Sequence, residues 1–289
     1  MVEGVPEFMC IHLHGLRQTQ CGGKMMLGQI GGLQAQVFAL AQMRRLVSVT
    51  GEELAGSIGW TRNQASQVLS RLARRKLAAR VRPDLYLLPP GIPAGGCWTP
   101  DSFLALSVLM ADRGAQYQIC GSAAFHHHGW LDQVPNRLDV YNTAISGSRL
   151  VGAASFRLTQ VQASRLGDTE SFRTPEGVTV TYSSRCRSLV DALNDWSRFG
   201  SFPAVRDWIG TEVAREPGMA SRIVRCALTY GNIGSLRRLG VILEDLGVSR
   251  QILGRVASAL PPTSAWIPLR PDLPGKGPVN RRWWVRMNG

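Results

Sequence analysis

Lysine is nearly absent: Lys24, Lys76 and Lys276 are the only three in 289 residues, and arginine supplies the rest of the 33 basic residues. Cysteine is scarce and scattered. Cys10, Cys21, Cys97, Cys120, Cys186 and Cys226 include no C-x-x-C pair, which excludes a zinc knuckle and a thioredoxin-like motif and reads as free thiols of a reducing cytoplasm. No run approaches the ~20 apolar residues of a membrane span, and the first 25 residues carry Glu3 and Glu7 and no apolar core of a signal peptide. Catalytic signatures are missing too. No acidic residue stands two before a lysine, as a common metal-dependent nuclease core requires, and there is no P-loop, no G-x-G-x-x-G and no G-x-S-x-G. Asp191 and Asp195, four apart on a helix, and the adjacent Glu244 and Asp245 read as solvated faces or caps. The chain is expected to be no enzyme and to hold no cofactor.

What is present is positive charge in one place. The formal net charge is +13, a field that attracts nucleic acid. Residues 26–90 hold nine Lys and Arg against three Asp and Glu, whereas residues 91–289 hold 22 against 15. The stretch "TRNQASQVLSRLARRKLAARVRPDLYLLPP", residues 61–90, alone has seven basic residues and one acid.

That stretch has helical and then alternating periodicity. Ala65, Val68, Leu69 and Leu72 form one apolar stripe at i, i+3, i+4 and i+7. Asn63, Gln67, Ser70 and Arg74 fall opposite it, flanked by Ser66 and Arg71, with Arg62 and Gln64 in the first turn. After Leu77 the period becomes two, "LAARV" and "LYLLP" about a turn at Pro83 and Asp84, which predicts a hairpin. Upstream, Leu33, Val37, Leu40, Ala41 and Met43 predict a first helix, and Thr50 with Glu53 predicts a capping box on a short second one. Thr61 predicts the cap of the third.

Helix, short helix, break, basic helix and hairpin is the order of a winged helix-turn-helix. Its second helix-turn-helix element presents amide and guanidinium groups to base edges in the major groove, and its wing presents Arg80 and Arg82 to the backbone or minor groove. Candidate contacts with double-stranded DNA are therefore Arg62, Asn63, Gln64, Ser66, Gln67, Ser70, Arg71, Arg74, Arg80 and Arg82.

"PPGIPAGG", Pro89–Gly96, marks a linker, with the domain boundary placed at residues 91–97. Beyond it, residues 98–289 predict a mixed α/β domain that ends in a helical region and a C-terminal strand, so the fold class is α+β. Expected elements include a helix in "PDSFLALSVLMADRG", a capped helix from Ser122 to His128, strands in "LDVY", "SFRLTQV" and "GVTVTYSS", four helices between residues 188 and 248, and a last strand at residues 283–287. Consecutive histidines His126, His127 and His128 point about 100° apart on a helix and cannot all ligate one ion; they read as helix-end residues, one of them packed under the sheet. The C-terminal tryptophans Trp266, Trp283 and Trp284 read as packing of a final strand.

In order, the motifs "LYLLPPG", "GSAAFHHHGWLDQVPNRLDVYN", "SLVDAL", "SLRRLGVILEDLG" and a tail of the form W..L.P..P..G..NRRW.V..N resemble the AbiEi family of antitoxins from type IV toxin–antitoxin and abortive-infection systems, over roughly residues 27–289. The resemblance implies a cytoplasmic protein whose first domain binds repeats in its own promoter and represses it. It implies a second domain that counteracts a nucleotidyltransferase-like toxin, with or without direct contact. Residues 1–25 have no counterpart in that pattern and read as a disordered leader or as a start codon set too early, with Met25 or Met26 as the functional start. The alternative is a winged-helix regulator whose second domain senses a ligand or signal.

Overall fold

A computed structural model describes residues 31–93 and 96–288. The leader and part of the expected linker lie outside the described residues.

The first unit runs α1 (Gly32–Arg44), β1 (Ser48–Thr50), α2 (Gly51–Ile58), α3 (Arg62–Arg74), β2 (Ala79–Arg82) and β3 (Leu85–Leu87). The capping box expected at Thr50 forms, and the cap expected at Thr61 proves to be a second box. Thr50 accepts from the backbone N–H of Glu53 at 3.1 Å, Thr61 from that of Gln64 at 3.3 Å, and each partner side chain returns a bond to the cap's own N–H. Between the helices Gly59 takes φ +77°, the left-handed turn that a Cβ disfavours, and its N–H caps Ala55. The stripe Ala65, Val68, Leu69 and Leu72 is buried against Val37, Phe38 and Leu54. Strand β1, which the sequence reading missed, pairs antiparallel with β3, and β3 with β2, so the sheet order is β1-β3-β2. Helix order and sheet order are those of a winged helix-turn-helix.

The second unit begins with α4 (Ser102–Asp112), then β4 (Tyr117–Cys120), α5 (Gly121–His127), β5 (Leu138–Asn142), β6 (Gly147–Val151), β7 (Ala154–Gln160), β8 (Thr169–Arg173) and β9 (Thr179–Ser183). These six strands form one mixed sheet in the order β6-β7-β5-β4-β9-β8. Helix α4 covers one face, with Leu106, Leu109 and Met110 on Val140, Phe156 and Val180. Its N-cap is Asp101, which accepts from the N–H groups of Phe103 and Leu104, so Pro100, the first residue of the stretch expected to be helical, stands one residue before the cap.

The other face is covered by helices α6 (Arg185–Asn194), α7 (Trp196–Phe199), α8 (Phe202–Arg215), α9 (Met219–Tyr230), α10 (Ile233–Asp245) and α11 (Arg250–Ser258), which share a third core. Short strands β10 (Ile267–Pro268), β11 (Val279–Asn280) and β12 (Val285–Arg286) close the chain, with β12 in the middle. The last strand is thus shorter than the expected residues 283–287, because Trp284 turns with φ +52°. The helix expected from Ser122 starts at Gly121 and has no side-chain cap. Gly121 sits at φ +59° with the Phe199 ring 2.5 Å from where a Cβ would lie, so the strand can turn into α5 only through glycine.

The two units share an element. Ala79 and Leu87 of the wing belong to the same apolar core as α4 and the sheet, and the N–H of Trp98 bonds the carbonyl of Lys76 at 2.7 Å. The chain passes from one unit to the other near the expected linker, but the back of the wing is built into the second unit.

Candidate nucleic-acid interface

Burial of the α3 stripe fixes the rotation of the helix, and the opposite face is open. Asn63, Gln67, Arg71 and Arg74 are exposed and Ser70 is half-buried. They line a concavity of about 590 Å³ between α3 and the wing, which Arg80 closes on the far side with Tyr86 at its floor. No side-chain hydrogen bond or ion pair ties Asn63, Gln67, Ser70, Arg71 or Arg74 to another described residue. Arg71 and Arg74 stand in the last turn, where the helix dipole favours a cation. The arrangement offers amide groups near the helix start and two guanidiniums further along, facing a third on β2.

The remaining candidates have work within the protein. Gln64 turns back to bond the N–H of Thr61 at 3.0 Å, so its amide serves the cap. Arg62 and Ser66 gather on Asp84 at the wing tip, at 3.4 Å and 3.5 Å, and Asp84 also accepts from the N–H of Gly51 at 3.2 Å. That acid draws the wing tip to the N-terminal ends of α2 and α3. Asp84 has φ +67°, a left-handed conformation that a short polar side chain tolerates.

Arg82 is the correction to the sequence reading. Simple alternation puts Arg80 and Arg82 on one face of the wing. The register shifts between them, a bulge that re-aims the second side chain. Arg82 consequently faces α4 and holds Asp112 through Nε at 2.8–2.9 Å and through a second guanidinium nitrogen at 2.6 Å. The bond lowers the Asp112 carboxyl below the ordinary carboxylate range. Arg80 stays exposed in the concavity. Arg80→Ala is expected to reduce the slope of log K against log salt by about 0.9, one phosphate contact, while Arg82→Ala leaves the slope unchanged and loosens the union of the two units. Binding titrations at four salt concentrations, with melting curves of both variants, check this. Equal slopes for Arg80→Ala and wild type would remove the wing from the DNA.

The sequence supplied α3 and Arg80 through periodicity and charge. It could not supply the Asp112 partner, which is 30 residues away and marked by no local pattern.

No protein-family model matches the chain, and no curated protein matches it. Among solved structures, the RV2827C protein from Mycobacterium tuberculosis superposes with a TM-score of 0.60 at 16% identity, covering 89% of this chain and 92% of that one. At that identity the likeness is one of fold, and it spans both units rather than the helix-turn-helix alone.

Proposed function

We propose that this protein is a DNA-binding antitoxin that represses its own operon in the cytoplasm and counteracts a nucleotidyltransferase-like toxin, as its resemblance to the AbiEi family implies. The observation that supports the DNA-binding half is the face of α3: side-chain amides and guanidiniums with no partner among the described residues, held outward by a buried stripe on the same helix. Guanidiniums and amides together on one open helix face suit the phosphates and base edges of DNA. The antitoxin half rests on the motif order, and this reading assigns no catalytic step to the chain.

On the DNA, Asn63 and Gln67 occupy the first turns of α3, the part of a recognition helix that reaches base edges. Arg74 is almost two turns beyond Gln67 and suits phosphate. Gln67→Ala is therefore expected to cost about 1–3 kcal/mol on the operator and almost nothing on scrambled DNA of the same length. Arg74→Ala should weaken both to a similar degree. Paired binding curves at one salt concentration decide it, and equal losses on both DNAs for both variants would mean that α3 reads no sequence. Co-expression with the neighbouring toxin gene tests the other half: cells should survive only when the antitoxin is present.

A second reading has one observation in its favour. A cavity of about 730 Å³ lies between the two units, with Leu46, Leu88, Trp98 and Leu104 in its wall. A ligand seated there would touch both units and could alter DNA binding. It separates from the first reading by the toxin assay, which a ligand-sensing regulator fails.

A further inference from the structure

The run His126, His127 and His128 gives two residues, not three, to a site that the sequence did not foretell. The third group is Glu170 on β8, 43 residues further on. One ligand atom from each of His127, His128 and Glu170 lies within 4.8 Å of the others. His127 Nε2 is 2.8 Å from Glu170 Oε1, and His128 Nδ1 is 3.8 Å from the same oxygen.

Two neighbouring helix positions diverge by about 100° at Cβ, yet the rings converge here because they present different atoms. His127 reaches with its distal nitrogen and His128 with its proximal one. His127 is stacked on Tyr182 at 4.2 Å between ring centres and meets the edge of Phe172 at 5.1 Å, so its ring is held on two sides.

His128 is the more telling residue. It is 5% exposed, and its Nε2 lies 3.0 Å from the carbonyl oxygen of Ser183 and 3.2 Å from Ser188 Oγ. A carbonyl oxygen only accepts, so Nε2 carries the proton. In a neutral ring Nδ1 is then a bare lone pair, and it faces a carboxylate oxygen. Two acceptors 3.8 Å apart are a pair that a cation can bridge. A histidine whose second nitrogen donates to a backbone carbonyl is also the usual state of a metal-binding imidazole, its tautomer and ring orientation already set.

We infer that His127, His128 and Glu170 form a binding site for a divalent transition ion of the zinc class. Two imidazoles and one carboxylate favour such an ion over magnesium or calcium, which take oxygen ligands. Bonds of 2.0–2.2 Å in tetrahedral geometry put ligand atoms roughly 3.3 Å apart. The 2.8 Å contact must therefore open and the 3.8 Å contact close, by about half an ångström each, and the two imidazole nitrogens, within 4.8 Å of each other, must close by up to about 1.5 Å through side-chain torsions. The ion replaces the proton now shared by His127 and Glu170. Glu170 is 40% exposed, which leaves the fourth position to water. Bound, the ion joins β8, an edge strand with mostly exposed residues, to the end of α5.

The test is metal titration of the full chain after chelation, with Zn²⁺ by calorimetry and Co²⁺ by absorption. Glu170→Gln is the principal variant, because it keeps shape and removes the anionic ligand at a half-exposed position. His127→Ala is the second and His126→Ala the control. Wild type and His126→Ala should each bind one equivalent more than Glu170→Gln and His127→Ala. The wild-type minus Glu170→Gln cobalt spectrum should show visible d–d bands without thiolate charge transfer in the near ultraviolet, which distinguishes the site from any cysteine. Equal stoichiometry and affinity in wild type and Glu170→Gln overturns the inference, as does loss of the same equivalent in His126→Ala.

Discussion

Arg187→Met is expected to destabilise the second unit by about 3–5 kcal/mol, the cost of leaving one member of a buried ion pair alone. Arg187 and Asp191 are one turn apart on α6, their side chains each 2% exposed, with Nε 2.8 Å from the carboxylate. The guanidinium also donates to the carbonyls of Arg165 at 2.9 Å and Gly167 at 3.4 Å, and lies 4.2 Å above the Tyr230 ring. Asp191 accepts from Ser183 Oγ, Ser183 accepts from Gln118 Nε2 at 2.8 Å, and Gln118 accepts from the N–H of Gly167 at 2.9 Å.

The circuit closes on itself and ties α6, β4, β9 and the loop before β8 together. Its methionine variant keeps much of the side-chain volume, so the loss reports polar groups and not a cavity. For a unit near 190 residues, 3–5 kcal/mol corresponds to a fall of roughly 6–20 °C in melting temperature. Arg187→Met with Asp191→Leu should lose less than Arg187→Met alone, since no charge is then stranded. A single variant within about 1 kcal/mol of wild type would show that the circuit does not hold the unit.

Such a circuit could not be read from the chain. Asp191 looked like a solvated face in sequence because an acid on a helix usually is one, and its Arg187 partner could equally have been an exposed pair. What decided burial was the polar face of β4, where Gln118 points at the helices while Ile119 points at α4. Local signals were legible where the chemistry is local. Thr50 and Thr61 cap helices within four residues, and the stripe from Ala65 to Leu72 oriented α3 unaided.

Strands of two or three residues, β1, β10 and β11, were too short to show a period, and two longer ones were missed because they lack alternation. β6 and β8 are edge strands exposed on both faces, β6 at Gly147, Ser148, Arg149 and Leu150 and β8 at Thr169, Ser171, Phe172 and Arg173, so neither offers the period-two apolar pattern. Helix α11 was missed for a similar reason, since Leu253 and Val256 are its only fully buried residues. Of the candidate DNA face, periodicity found the open positions. The bulge that turns Arg82 away from it is a property of pairing with β3 and leaves no mark on β2 itself.

Trp283→Ala is expected to cost about 3–5 kcal/mol, and the reason also explains the "RRLG" motif on α10. Trp283 is fully buried, its Nε1 donates to Glu244 at 2.8 Å, and Glu244 is bound besides by Asn280 and Arg282. Four residues earlier Gly240 lets the indole lie on the backbone of α10: a Cβ there would meet ring atoms at 2.3–2.6 Å. Arg237 donates to the carbonyls of Trp283, Ala265 and Trp284, and Arg238 to that of Pro268 at 3.1 Å. Both arginines are nearly buried without a carboxylate partner among the described residues, and burial holds the Arg238 guanidinium down to about 10. The motif is thus a latch for the tail, two arginines gripping its carbonyls and one glycine admitting its tryptophan. Gly240→Ala should cost about 1–3 kcal/mol through overpacking against a ring that cannot retreat. The two effects must couple, since they concern one contact. In a Trp283→Leu background Gly240→Ala should cost much less than in wild type, measured as the difference in urea unfolding free energy across the four proteins. An unchanged cost in that background would place the strain elsewhere and leave the glycine of the motif unexplained.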